Sequence, residues 1–450
     1  MVNRWVLPLI PVLVATGLSA PSDPTLIYPD AISYLGAFRL EERWAPNYST
    51  WEYSNGPLAY YPQGDAMGPE DGYPGSLFMA AHVYASKVAE LDIPAPVKSR
   101  TVDGLPVARV LQRMTDVTAS LPDKNGFIMG MTYVPSQDRV YFTHGSDYSD
   151  SDCDPSNSPP GLGSFKPTLS NPDTKGLWFI AADGATLHPF TSLRYIMEIP
   201  QPWADENLQG RSLATGRHRG WCPEGTNLYA SAPWAERKVL RSGTTVSAAT
   251  LMQFGDFPDT AKWSKEHSSA NAYQGGAWLT SGEKAAVIIS GIIDYDRARS
   301  YYGYENWKHA RQCDPNPKDA GCSGQRGWRA ANPKPAFLFY RPRDLADVAN
   351  GLKRPWEVEW YAKLDLSSYM LRRYLPTMLT TGADAEDILM TFDRSRGLIY
   401  VSESFADGPK PVVHVFKVTN DDIDSSDNDS NNGTDRSRAT RGDDLRPSRR

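Results

Sequence analysis

The chain reads as an all-β protein, a five-bladed β-propeller built of four-stranded blades, and three observations predict this. One short pattern recurs: a polar opening, then a run of small apolar residues that usually starts on glycine. It stands at Asn55-Gly56-Pro57-Leu58-Ala59-Tyr60-Tyr61-Pro62, Asn125 to Tyr133, Gln209 to Gly216 and Gln274 to Leu279, and a fifth copy, Glu386 to Phe392, keeps the polar opening without the glycine. Strands of this kind suit positions that converge on a narrow axis, where bulky side chains collide. Each copy also opens a block of further short strand-like runs bounded by turn residues. Finally, Pro, Gly, Trp and Tyr are abundant, a composition for many short strands rather than long helices.

In chain order, residues 1–19 are expected to be a signal peptide. A single Arg4 precedes an apolar run from Trp5 to Val14 and then small residues, which is too short for a membrane span. No later apolar stretch reaches spanning length, so a secreted or periplasmic protein is expected. Ser33 to Leu40 is a strand without a partner nearby in sequence. The first block continues through Ser76–His82, Lys87–Pro94 and Val107–Met114, and the second through Arg139–His144, Gly176–Ile180 and Tyr195–Pro200. The third takes Asn227–Ser231, Lys238–Leu240 and Thr250–Phe254, and the fourth Ala285–Ser290, Ala336–Tyr340 and Trp356–Trp360. The fifth supplies only Gly397–Val401 and Pro411–Val418, one strand short. Ser33 to Leu40 fills that vacancy, closing the ring and removing an exposed edge. Six or seven blades are the alternative if Asp344–Ala349 and Tyr361–Leu379 hold a further sheet. The propeller domain then spans 33–420. Residues 421–450 have almost nothing apolar to bury and are expected to form a disordered polar tail.

Four cysteines, an even set, fit an oxidising compartment. Cys313 and Cys322 bracket a short turn-rich loop that a disulfide closes readily. Cys153 and Cys222 would pair by elimination, but the blade register puts them on different faces, so that pair stays open. The net charge of −6 and the lack of a basic run in the body exclude a nucleic-acid partner. Nucleophile-elbow, phosphate-loop, dinucleotide and zinc-helix motifs are missing. No cofactor is predicted beyond room for a structural Ca2+ in the axial channel, and a monomer is expected.

In a four-stranded blade the loop entering the first strand and the loop after the second open on the same face. The polar openings Asn55, Asn125, Gln209, Gln274 and Glu386 would therefore ring the axial mouth, offering donors and acceptors for sugar hydroxyls; each could equally satisfy its own turn backbone. His82, His144 and Glu403 end second strands on this face and are the candidate catalytic groups, the imidazoles for proton transfer and the carboxylate as base, nucleophile or cation ligand. A long insertion overhanging the mouth adds Asp294, Tyr295 and Trp307, an acid beside rings on which a sugar can pack. The segment Thr215 to Trp221, with Arg217-His218-Arg219, looks like an anion site but falls on the opposite face in this register.

The stretches Gly36-Ala37-Phe38-Arg39-Leu40, Gly75-Ser76-Leu77-Phe78-Met79, Ala214-Thr215-Gly216-Arg217 and Phe339 to Ala349 resemble those of secreted bacterial propeller-type proteins of unassigned activity. That resemblance spans nearly all of 33–418 and brings no catalytic residues with it. The architecture is more loosely similar to five-bladed propeller glycosidases, which hold carboxylates in the axial funnel; here the openings are mostly amides. The functional expectation is a secreted carbohydrate-active protein that binds a polysaccharide at the mouth and cleaves it as a glycoside hydrolase or polysaccharide lyase. The alternative is a non-enzymatic secreted binding or surface-interaction module.

Overall fold

The computed structural model describes residues 23–41, 46–65, 68, 72–122, 126–145, 154, 156, 159–188, 191–192, 194–217, 225–235, 240–255, 259–295, 300–302, 328–330, 332–372 and 387–419. The expected signal peptide at 1–19 and the expected polar tail at 421–450, together with Asn125, Glu386, Trp307 and all four cysteines, lie outside the described residues. No helix among the described residues is long and apolar enough to cross a membrane.

The fold is all-β. Strand β1 (Ile32–Leu40) stands first in sequence and is used last. The first sheet follows as β2 (Leu58–Tyr61), β3 (Ser76–Ala80), β4 (Lys87–Leu91) and, after the two-residue β5 (Val107–Ala108), β6 (Val110–Asp116), with β2, β3, β4 and β6 antiparallel in that order. The second contains β7 (Phe127–Val134), β8 (Arg139–Gly145), β9 (Leu162–Phe165) and β10 (Lys175–Ala182), with β11 (Ala185–Thr186) folded back on β10. In the third, β12 (Tyr195–Glu198) is followed by helix α1 (Gln201–Leu208), β13 (Leu213–Gly216), β14 (Leu228–Ser231) and β15 (Thr245–Met252). Parallel pairing of β10 with β15 joins the second and third sheets into one eight-strand path, and its end strands β7 and β12 pack on each other, so the path curls nearly closed. The fourth sheet orders β16 (Ala272–Ser281), β17 (Lys284–Asp294), β20 (Pro333–Tyr340) and β21 (Trp360–Asp365); the small β18 (Ser300–Tyr302) and β19 (Trp328–Ala330) pair between them in sequence. Helix α2 (Pro342–Ala349) links β20 to β21.

The fifth sheet runs β22 (Ile388–Asp393), β23 (Leu398–Asp407), β24 (Lys410–Val418) and then β1, which pairs antiparallel with β24 from Ile32↔Val418 to Arg39↔Val412. The N-terminal strand thus covers the edge that β24 would otherwise expose. Its own outer edge takes β5 in a short parallel pairing, Arg39↔Val107.

A separate apolar cluster fills the space between each sheet and the next, and between the fifth and the first. Each sheet is therefore buried on both faces, which is why its strands read as continuous apolar runs instead of alternating with polar residues. Strand alternation deals successive side chains to opposite neighbours: Ile388 and Met390 pack toward the fourth sheet, and Leu389 between them packs toward the first. The first strands also touch in sequence, β2 with β7, β7 with β12, β12 with β16, β16 with β22 and β22 with β2. The tightness of that approach excludes side chains: a Cβ on Gly275 would stand 2.8 Å from the Met390 nitrogen, and one on Gly130 would stand 2.6 Å from the Arg194 carbonyl oxygen.

Two strand assignments need correction. Tyr195–Glu198 is the first strand of the third sheet, not the outer strand of the second, because Leu162–Phe165 supplies the second sheet's third strand and moves the strands from Gly176–Ile180 to Asn227–Ser231 on by one place; of the expected strand Lys238–Leu240, residues 238 and 239 lie outside the described residues and Leu240 is not in a strand. Those four residues, Leu-Gly-Ser-Phe, are too short and glycine-broken to show a strand period. Consequently Leu213–Gly216 is a second strand, and Gln209 does not open a first strand. Trp356 lies in a 3-10 turn, Pro355–Glu357, closed by a capping box with Arg354, and the fourth sheet's outer strand begins only at Trp360. Asp344–Ala349 is helical, with Pro342 at its N-terminus, and Tyr361–Asp365 belongs to β21. Among the described residues neither segment forms a further sheet.

Candidate ligand-binding site

The first strands begin, and the second strands end, on one side of the sheets, and the side chains there are unusually polar for their burial. Asp387, immediately before β22, is fully buried and accepts a hydrogen bond at Oδ1 from Arg194 Nη2, an ion pair between residues that precede β22 and β12. Gln274 on β16 donates from Nε2 to the same Oδ1 at 3.0 Å and accepts the Ile388 N–H at Oε1, also at 3.0 Å. Three sheets are thus tied at one point by a guanidinium, a carboxylate and an amide, each group's desolvation offset by charge-assisted bonds. Backbone links extend the lacing: Ser404 Oγ donates to the Asn55 carbonyl at 3.1 Å, Ser402 Oγ to that of Gly56 at 2.7 Å, and the Arg194 N–H to Gly216 at 2.8 Å.

The candidate residues fall into three groups. Asn55, Gln274, His82, His144 and Asp294 do gather at this end, all buried. His144 Nε2 and Ser86 Oγ lie 2.9 Å apart, bonding the second sheet to the first. His82 accepts the Tyr84 N–H at Nδ1, 3.1 Å, and its ring is packed by Tyr48, Tyr53 and Tyr84 at centroid distances of 4.7, 5.5 and 5.2 Å. Burial holds its pKa below the usual histidine value, while Glu52 pulls the other way. Asp294 receives Ser268 Oγ at 3.4 Å, and its N–H donates to Asn271 Oδ1.

Glu403 is fully buried and lies in the fifth sheet. Its Oε2 meets His414 Nε2 at 2.8 Å, His414 Nδ1 meets Tyr34 Oη at 3.0 Å, and the carboxylate accepts the N–H groups of Leu371 and Arg372, both at 2.9 Å. Glu403 therefore fastens the chain after β21 onto the sheet and raises the pKa of Tyr34, whose own burial is the larger cause. Tyr295 is held between two cations, with Lys363 Nζ 4.0 Å and Lys334 Nζ 4.5 Å from its ring centroid.

Gln209 and Arg217 are corrected. Gln209 caps the C-terminus of α1 in the left-handed region, φ 54°, followed by Gly210, an ordinary helix stop that imitates the polar-glycine opening of a first strand. Arg217 follows a second strand, so it is buried at the same end as His144 and Arg194, and the anion-like segment it begins starts from this end and not the other. Arg194 and Asp387 carry no mark in the sequence that singles them out. Asp387 adjoins the predicted Glu386, but Arg194 precedes a strand placed one sheet too early, which hid its position. The three tyrosines around His82 sit in polar loops, where nothing in a period marks them.

A Ca2+ ion does not suit the laced point, because the carboxylate that would ligate it is paired to the Arg194 guanidinium. No protein-family model matches the chain, and no curated protein matches it, so a functional reading rests on the geometry.

Proposed function

We propose that the five sheets are the blades of a five-bladed propeller and that the protein is an exported carbohydrate-binding protein, taking a polysaccharide at the end where the first strands begin. Support for the ring comes from the cyclic order of the apolar clusters and of the contacts between first strands, closed by β1. Support for the binding end comes from one observation above all: buried polar side chains from all five sheets gather there and bond between sheets at Arg194–Asp387–Gln274 and at Ser86–His144, a rigid rim of the kind whose loops carry binding residues.

Binding is favoured over hydrolysis. Glycosidases need two carboxyl groups about 5–9.5 Å apart, one of them poised to give a proton. Asp387 is committed to Arg194 and Gln274, and Glu403 to His414 and two backbone N–H groups, so both act as fasteners of the scaffold. The test is a panel of soluble polysaccharides, read by calorimetric binding and by release of reducing ends or unsaturated products. Binding without product supports the proposal. Product release that disappears in His144→Ala would replace it with a catalytic reading.

A further inference from the structure

Among the described residues three exposed tyrosines share one place, where Tyr48, Tyr53 and Tyr84 are 51, 41 and 71 % exposed around a single imidazole. Tyr53 stands two residues before Asn55, and His82 follows β3, so the cluster flanks the binding end. Phe405, from the fifth sheet, extends it, 6.1 Å from Tyr53 edge to face.

The cluster is a built surface. Lys87 Nζ donates to the Asn47 carbonyl at 2.5 Å and to Ser49 Oγ at 2.8 Å, clamping the loop that carries Tyr48. The His82 N–H donates to Thr50, the Val83 N–H to Tyr53 and the Tyr53 N–H to Pro409, so the three segments bearing the rings are bonded together. Tyr48, Tyr53 and Phe405 all hold φ between 56° and 59°, a region that bulky L-residues rarely adopt and that the surrounding bonds must enforce. These are the aromatic residues with positive φ among the described residues, and all three fall in one patch.

We propose that this tyrosine platform is the subsite on which one pyranose ring of a neutral polysaccharide stacks. The inference rests on the carbohydrate reading above and names the sugar class and the place. Rings with apolar faces and hydroxyl rims match the C–H face and equatorial hydroxyls of a pyranose. Two other ligands of aromatic clusters are disfavoured by what is present. A quaternary ammonium needs a hollow between rings, and here the His82 ring fills it. A uronate needs a cation turned toward the rings, whereas Lys87 is spent on the loop, Arg372, 5.5 Å from the Phe405 centroid, donates to the Ser404 carbonyl, and Glu52 is the charge facing His82. The imidazole accepts the Tyr84 N–H and so stands neutral at the centre, adding a polarisable apolar surface.

The test uses the full mature chain with cellohexaose, xylohexaose, mannohexaose and hexagalacturonate, measured by calorimetry and by saturation-transfer NMR. Tyr48→Ala and Tyr84→Ala should each weaken the best neutral ligand about tenfold, Tyr84→Phe should stay within about threefold of wild type because it keeps the ring, and hexagalacturonate should bind least. Thermal midpoints should be unchanged, since both side chains are exposed. If the wild type binds a neutral hexamer and both alanine variants bind it equally well, the platform is refuted while the carbohydrate reading stands. Preference for hexagalacturonate overturns the neutral-sugar assignment. Failure of the wild type to bind any of the four overturns the platform and counts against the carbohydrate reading with it.

Discussion

Replacing Asp387 by Ala removes the counter-charge of a guanidinium that is 2 % exposed while the carboxylate itself is 0 % exposed. Breaking a buried ion pair from one side costs about 3–5 kcal/mol, because the remaining charge keeps its desolvation penalty. Gln274 also loses the acceptor for its Nε2. Unfolding entropy of roughly 2.1 cal/mol/K per residue, over the roughly 310 described residues, is about 0.65 kcal/mol/K, so the midpoint should fall by about 5–8 °C in differential scanning calorimetry. Asp387→Asn keeps the shape and most of the loss should persist. The double variant Arg194→Met/Asp387→Leu should recover much of it, since an apolar pair of similar volume often replaces a buried ion pair at little cost. A single-variant midpoint within about 1 °C of wild type, or a double variant that loses the sum of the two singles, would falsify the claim that this pair locks the first strands of three sheets.

Phe38, on β1, is fully buried against the first and fifth sheets, so Phe38→Ala should cost about 3–5 kcal/mol and deletion of 32–40 should abolish soluble expression by exposing the β24 edge; unchanged yield of the deletion would show that closure by β1 is dispensable. Glu403→Gln places an amide donor against one of the two N–H groups and should cost about 1.5–3 kcal/mol, with faster hydrogen exchange at Leu371 or Arg372 as its specific mark; protection unaltered at both positions would contradict the fastening role. His82 has its pKa lowered in the folded state, so the neutral form is favoured there: its contribution is fully present above the ordinary value of about 6.5 and is lost as pH falls below it toward the depressed folded value. NMR titration should show Tyr84 N–H losing its acceptor in that acidic range, and an imidazole that titrates above about 6.5 would reverse the sign.

The sequence by itself determined that the chain is all-β, and it marked most of the strands. Continuous apolar runs between glycine-rich turns are what sheets buried on both faces require, and the orphan strand Ser33–Leu40 had only one vacancy to fill. It also marked His82 and His144 as strand-end groups, because a repeat carries position with it. It failed where a local signal had two physical causes. Gln209-Gly210 is polar-glycine because a helix stops there, and Leu162–Phe165 is too short for any period, so the register slipped through one sheet and took Arg194 and Arg217 with it.

Only the tertiary structure decided which polar groups meet. Arg194 and Asp387 are 193 residues apart, and nothing local distinguishes a guanidinium that will be buried against a carboxylate from one left in solvent. The same holds for Glu403, a strand-end carboxylate in sequence that becomes a fastener once the backbone of Leu371 and Arg372 folds over it. Tyr48, Tyr53 and Tyr84 look like ordinary loop tyrosines until the hydrogen bonds of their three segments bring them around one imidazole. Strand identity is written in short-range periodicity, which survives in the linear chain; the pairing of charges and the grouping of rings depend on long-range closure, which does not.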